Sequence, residues 1–393
     1  HTMLKDFSLS AVIAGWLAVF VGFAGPLAIV YQAAELAHLS SAQTASWIWA
    51  ISMGSGVAGL WLSLRYKMPI ITAWSTPGAA LLIVSLPELG LSQAIGAYLV
   101  AGCIVLLLGI TGIFDTFIKK IPQGISAGLL AGVLLNFGLG VFTALPNNPW
   151  LVTLMLGGFI VCKRFAPRYA VAVSMVLGVL LALAFGQING SGIHFELVTP
   201  VWTTPSFSVH AILSLALPLA LVTLVGQHMP GLAVLKASGF EPPAKSLVSF
   251  TGFVSLLVAP FGAHAINPSV VAASICTGSE SHELPQRRYI AGVSAGLTYL
   301  VVGLFGGALT QLLLALPKTV IVTLAGLALI GSILNGLVGV VVNENHRDAS
   351  VITFLVAASG FQFLGLSAAF WSLLIGGVVY LILRPAQPAR GKL

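Results

Sequence analysis

Apolar residues along this chain do not alternate with polar ones at the period of a strand, nor do they keep to one stripe of a helix. They fill whole stretches, interrupted by Gly, Pro or a few charges. Runs of about 20 apolar residues are the signature of helices that cross a hydrocarbon layer. The interruptions predict spans at 9–34, 43–64, 70–86, 91–114, 122–142, 147–163, 168–187, 208–234, 245–262, 264–279, 288–314, 318–340, 349–363 and 367–384. The expected fold is therefore an all-α polytopic membrane protein with fourteen transmembrane segments. The longest stretch off the membrane, Gln187 to Phe207, leaves no room for a soluble domain, so function has to sit within the bilayer.

Composition agrees with that pattern. Of 393 residues 58% are hydrophobic and 7% charged, against about 25% charged in soluble domains. A net charge of +7 is compatible with a nucleic-acid partner, but the span order gives it another meaning. With a cytoplasmic N-terminus, Lys5, Arg65, Lys67, Lys119, Lys120, Lys163, Arg164, Arg168, Lys236, Lys245, Arg287, Arg288, Arg347, Arg384, Arg390 and Lys392 all fall inside, and Lys318 alone falls outside. A wrong span count would scramble that asymmetry, which is the positive-inside rule. Both termini are expected in the cytoplasm, and nucleic acid is not required. The opening His1-Thr2-Met3 reads as a cloning remnant ahead of a start methionine, with no cleavable signal after it. Cys103, Cys162 and Cys276 have no CxxC spacing and read as packing residues. No GxxxxGK[ST], HExxH or GxSxG motif is present. ATP-driven transport, hydrolase chemistry, a metal and a cofactor therefore have no support.

The chain also repeats itself. VGFAGPLAIVYQAA from Val21 matches VGQHMPGLAVLKAS from Val225 at Val, Gly, Pro, Val and Ala. IPQGISAGLL from Ile121 resembles LPKTVIVTLA from Leu316. Matching spans lie seven apart, and because seven is odd the second half enters from the opposite side, a 7+7 inverted repeat. Spans 3 and 10 are the irregular pair. MPIITAWSTPGAALLIV carries Thr76-Pro77, and FGAHAINPSVVAASICTG carries Asn267-Pro268. Thr or Asn at the N-cap with Pro in first helical position predicts a helix that starts partway through the membrane, preceded by extended backbone. Two such starts offer free N–H groups and positive dipole ends to an anion such as a carboxylate.

Polar groups at membrane depth are the remaining candidates. Span 8 carries adjacent Gln227 and His228, where the repeat has Phe23 and Ala24 in span 1. Adjacent helical residues point about 100° apart, so the two cannot face one site. Gln227 is the substrate-binding candidate, and His228 and His264 are candidates for taking up a proton. Glu35 is a weaker proton candidate, since it and Asp115 lie near span ends and suit interfacial charges. Thr76, Pro77, Asn267, Pro268 and Ser269 belong to the two breaks, and Trp74, Tyr31 and Phe261 can wall an aromatic solute.

The inverted repeat with broken spans 3 and 10 resembles the fold shared by the uracil/xanthine permeases and the sulfate/anion exchangers. GQHMPGLAVL and FGAHAINPSVVAASICTG most resemble the bacterial benzoate:proton symporters. The resemblance covers essentially the whole chain. It implies a core domain of spans 1–4 (9–114) and 8–11 (208–314), moving against a gate domain of spans 5–7 (122–187) and 12–14 (318–384). It also implies a homodimer in the bacterial inner membrane. The nucleobase permeases hold substrate with a span 8 glutamate, matched here by Gln227, and with a glutamate in span 10, where this chain has Ser269 and small apolar residues. A carboxylate there would repel an anionic substrate, so the neutral amide suits an aromatic carboxylate. The expected function is proton-coupled uptake of benzoate or a similar compound by an elevator-like movement. A nucleobase or other small-anion permease, or a channel, are the alternatives.

Overall fold

The computed structural model describes residues 2–190, 192–279, 281–364 and 366–384; His1, Arg390 and Lys392 lie outside the described residues. Nearly everything described is helical, and seven helical segments are long and apolar enough to cross a membrane. They are Leu9–Leu36, Ser41–Tyr66, Leu91–Ile110, Gln123–Asn147, Val209–Ala237, Ala244–Phe261 and Lys318–Val341. An eighth is the pair Pro285–Leu304 and Gly306–Ala315, bent by 71°. Shorter apolar helices occupy Thr76–Leu89, Ala170–Ala184 and Ala368–Leu383.

Local chemistry explains where these segments bend or stop. The first span divides at Gly25 into Leu9–Ala24 and Pro26–Leu36, since Pro26 has no N–H to continue the ladder. Span 11, expected to be continuous from 288 to 314, bends before the Gly306-Gly307 pair, a common cause of kinks. Span 4, expected to reach 114, ends at Ile110 and gives way to a separate helix, Phe114–Lys120. Span 13, expected at 349–363, is the helix Arg347–Ser359 and stops at Gly360, whose φ of 64° favours glycine.

Between helices, small residues replace the hydrophobic drive that lipid does not supply. Gly128 and Gly132 bring the helix Gln123–Ala144 against the helix Arg347–Ser359: a Cβ on Gly128 would stand 2.6 Å from Ser350 O, and one on Gly132 2.5 Å from Ala357 Cβ. The extended loop after residue 187 laces one set of helix ends together. Val198 N–H donates to Leu304 O, Thr203 N–H to Pro260 O, and Ser206 N–H to Ser92 O.

At the centre two short strands, β1 (Thr72–Trp74) and β2 (Ile266–Pro268), pair antiparallel with Ala73 opposite Asn267. Flanking bonds extend the pairing, from Ser75 N–H to Ala265 O and from Ser269 N–H to Ile71 O. This is extended backbone whose polar groups find partners within the protein, the condition for non-helical chain among spanning helices.

Candidate functional site

After β1 the chain enters the helix Thr76–Leu89. Its cap is Ser75, one residue earlier than the expected Thr76, with Pro77 at the second helical position; Ser75 Oγ accepts Gly78 N–H at 3.0 Å. The shift has a simple cause: strand pairing runs through Trp74, so the turn into the helix falls on the next residue. The second break departs further from expectation. Asn267 and Pro268 do not start a helix but form β2, and the helix Val271–Cys276 begins three residues on, with no side-chain cap. With its amide turned to satisfy both neighbours, Asn267 accepts from Ser75 N–H at 2.9 Å and donates to Pro268 O at 3.0 Å. Its amide is thus spent on joining the two strands. A helix of six residues also carries little dipole, so the expected symmetric pair of helix ends becomes one long helix end facing a short turn.

Span 8 lies across both breaks. A Cβ on Gly226 would stand 3.4 Å from Pro77 Cγ, and one on Gly231 would stand 2.7 Å from Pro268 Cβ and 3.3 Å from Ser269 O. On a helix, residue 227 falls in angle between 226 and 231, so Gln227 projects toward the gap between the breaks. Gln227 is 9% exposed and Ser269 8%. Neither their side chains nor the half-buried Thr76 hydroxyl has a hydrogen-bond partner among the described residues. Their polar atoms nevertheless keep some accessible surface.

Gln227 belongs to a π-helical turn, Leu224–His228, in which Met229 N–H reaches back to Leu224 O. Such turns are rare and occur often at functional sites. His228, the next residue, faces away: its Nδ1 meets Thr223 O at 3.2 Å and its Nε2 meets Thr251 Oγ1 at 3.0 Å. His264 sits behind the strands. Its Nε2–H donates to Ser75 O at 2.7 Å and its Nδ1 accepts Trp47 Nε1–H at 3.2 Å. Glu35 is exposed at the end of Pro26–Leu36, away from the breaks.

The aromatic wall differs from the expected one. Trp74 packs against Phe23, with ring centroids 5.1 Å apart, and against Tyr299 at 6.3 Å; Phe23 and Tyr299 are 5.4 Å apart. Tyr31 is buried without a ring contact among the described residues, and Phe261 packs on Trp49 and Trp202 instead. Trp74 Nε1 and Tyr299 OH are buried without partners among the described residues. Tyr299 was missed because it lies in the apolar interior of span 11, yet a sequence signal existed: YLVVG from Tyr299 repeats YLVAG from Tyr98. Tyr98 stands beside His264, with ring centroids 6.4 Å apart, and its hydroxyl also lacks a partner.

No three His, Cys, Asp or Glu side chains cluster to hold a metal among the described residues. A cavity of about 320 Å³ opens at the end of the bundle between Glu344, His346, Arg347 and Tyr380, and none of the predicted site residues lines it. The two breaks instead bring unpaired amide and hydroxyl groups and a helix N-terminus close to the cluster of Trp74, Phe23 and Tyr299.

Residues 5–382 match the family described as benzoate membrane transport protein. The benzoate membrane transport protein of Acinetobacter baylyi is 44% identical over 382 residues, 97% of each chain. The inner membrane protein YdcO of Escherichia coli is 42% identical over 372 residues, 95% of each. In three dimensions the chain is similar to the transmembrane domain of the cyanobacterial bicarbonate transporter BicA, with a TM-score of 0.59 at 16% identity over 95% of this chain and 96% of that one. It is also similar to SLC26A9, with a TM-score of 0.63 at 14% identity over 97% of this chain and 66% of that one. At such identities the likeness concerns the fold alone.

Proposed function

The chain belongs to the benzoate membrane transport protein family and is a multi-pass membrane transporter, not an enzyme; we propose that it takes up benzoate or a similar aromatic carboxylate together with a proton. The observation that carries this reading is the set of unpaired polar side chains at the two breaks, Thr76 at the start of the helix Thr76–Leu89 and Ser269 after β2, with Gln227 of span 8 projecting between them. In this reading the carboxylate accepts from Thr76 N–H, since Pro77 has no N–H and the amides of Gly78 and Ala79 are held by Ser75, and the dipole of that helix adds roughly 0.3 to 2 kcal/mol. Gln227 donates to one carboxylate oxygen and the Thr76 hydroxyl completes the shell, while Ser269, beside Ile71 at the other end of the strand pair, lines the second break. The arene rests against Trp74, Phe23 and Tyr299, where edge and face contacts each add about 0.5–1.5 kcal/mol. Pro77, Asn267 and Pro268 shape the site rather than bond the substrate.

A proton is proposed as partner for a physical reason. An anion entering a cell that is negative inside works against about 2.3 kcal/mol per 100 mV, and a co-transported proton cancels that charge. We further propose fourteen crossings in a 7+7 inverted arrangement in the bacterial inner membrane, with both termini cytoplasmic, and a homodimer. The antiparallel pairing of β1 with β2 and the one-sided basic residues support this topology. Spans 1–4 and 8–11 form the moving core, and spans 5–7 and 12–14 the gate against which it slides.

Uptake of labelled benzoate into proteoliposomes, with and without an inward proton gradient, tests the function. The gradient is expected to drive accumulation, with saturation at carrier rates. Indifference to the gradient would sink symport, competition by uracil but not by benzoate would favour a nucleobase permease, and flux that does not saturate would favour a channel.

A further inference from the structure

Among the described residues two histidines are fully buried, and both nitrogens of each ring have partners. What separates them is what those partners can do. At His264, Ser75 O can only accept and the Trp47 indole N–H can only donate, so the ring is fixed as the neutral Nε2–H tautomer. A second proton would set N–H against N–H.

At His228, Thr223 O can only accept, so Nδ1 carries hydrogen in every state. Nε2 faces a hydroxyl, which can do either. Thr251 Oγ1 also lies 2.7 Å from Leu247 O and 3.2 Å from Val248 O, so its hydrogen has more than one place to go. When the ring is neutral, Thr251 O–H donates to Nε2. When the ring gains a proton, Nε2–H donates to Thr251 Oγ1, and the hydroxyl hydrogen swings to Leu247 O. Both states are fully bonded, and the change between them is one hydroxyl rotation.

We propose that His228 is the proton-binding site of this transporter, with the Thr251 hydroxyl as the rotor that accommodates both of its states. The assignment rests on the symport reading. The elements around the ring carry Arg65, Tyr66 and Lys67 at the end of span 2, Asp115, Lys119 and Lys120 on Phe114–Lys120, His210 and Lys236 on span 8, Glu241 before span 9 and Lys245 on it. None of them bonds to the ring, which meets the ring of Phe114 at 6.5 Å.

A chain of hydrogen bonds links this site to the substrate end. His228 bonds the carbonyl of Thr223, whose hydroxyl donates to Ser75 Oγ at 3.0 Å, and Ser75 Oγ caps the helix proposed to hold the carboxylate. Proton and anion thereby act on the same two residues, Thr223 and Ser75, from different faces of span 8.

The test uses the full chain in proteoliposomes with two readouts: accumulation driven by a proton gradient, and counterflow exchange of labelled benzoate at equal pH, which needs no net proton movement. In His228→Gln the ratio of driven accumulation to counterflow is expected to fall by about 10-fold or more. Thr251→Val is expected to move the pH at half-maximal accumulation by about one unit, and Thr251→Ser to restore it. Gradient-driven accumulation persisting in His228→Gln would overturn the assignment alone, whereas wild-type uptake indifferent to the gradient would overturn the symport reading along with it. If His228→Gln does not fold, the threonine pair decides: a pH profile unchanged in Thr251→Val overturns the proposal.

Discussion

Where the chain leaves β1 it enters a 14-residue helix capped by Ser75; where it leaves β2 it passes Ser269 and Val270 and enters 6 residues of helix with no side-chain cap. The strands are near equivalents, paired residue against residue, and the helices are not. A repeat can thus preserve the backbone pairing that both halves need, since neither strand can leave its polar groups unpaired at this depth. It is free to diverge in the helix beyond each strand. The first unit presents Thr76 N–H at the start of a 14-residue helix, and the second presents a hydroxyl and a short turn. Gln227, whose counterpart in the first half is Phe23, projects between them.

The largest test of that asymmetry is Gln227→Glu. It sets a carboxylate against the substrate's own, and two charges about 4 Å apart at an effective dielectric of about 20 repel by roughly 4 kcal/mol. Labelled benzoate uptake is expected to fall at least about 100-fold, and normal uptake would mean that no anion sits between the units.

Gly231→Ala comes next. Its Cβ would meet Pro268 Cβ at 2.7 Å, whereas Gly226→Ala places Cβ in ordinary contact with Pro77 at 3.4 Å. Overpacking of this kind costs about 1–3 kcal/mol, so the thermal midpoint of the purified Gly231 variant should drop while that of Gly226→Ala stays near wild type. Equal shifts would mean that span 8 presses no harder on the second unit than on the first.

Ser75→Ala removes a cap and the partner of Thr223, for about 1 kcal/mol. A rise of roughly 5–10-fold in the KM for benzoate is expected, against about twofold for Ser269→Ala. A larger effect at Ser269 would reverse the ranking of the two units.

The smallest effect separates the repeated tyrosines. Tyr98→Phe deletes a hydroxyl that bonds nothing among the described residues, and is expected to leave uptake unchanged and stability within about 0.5 kcal/mol. Tyr299→Phe touches the proposed arene wall and should raise KM modestly, by about two- to threefold.

Much of this architecture was legible locally. The apolar stretches marked a polytopic helical membrane protein, and the two proline dipeptides lie in or beside the paired strands. Adjacency on a helix turns Gln227 and His228 about 100° apart. The cap fell on Ser75 rather than Thr76 because strand pairing fixed the exit, and pairing is a relation between segments far apart in the chain. The same pairing drew Asn267 and Pro268 into β2 although they spell a helix start. Trp47 and Thr251 carried no local sign of their hydrogen bonds to the buried histidines, since a ring or hydroxyl in an apolar span looks like packing until its partner is known.

The sequence by itself determined that this chain lives in lipid, where its irregular segments lie, and which polar residues had to be satisfied at depth. Those follow from the cost of placing polar groups in hydrocarbon, which each residue meets alone. Only the tertiary structure decided which of them were satisfied by one another. Asn267 and His264 found partners in the strands and Trp47, while Gln227, Ser269 and Thr76 found none among the described residues. A hydrogen bond depends on two groups meeting at about 3 Å, and that meeting is set by the packing of distant spans rather than by either residue's neighbours in the chain.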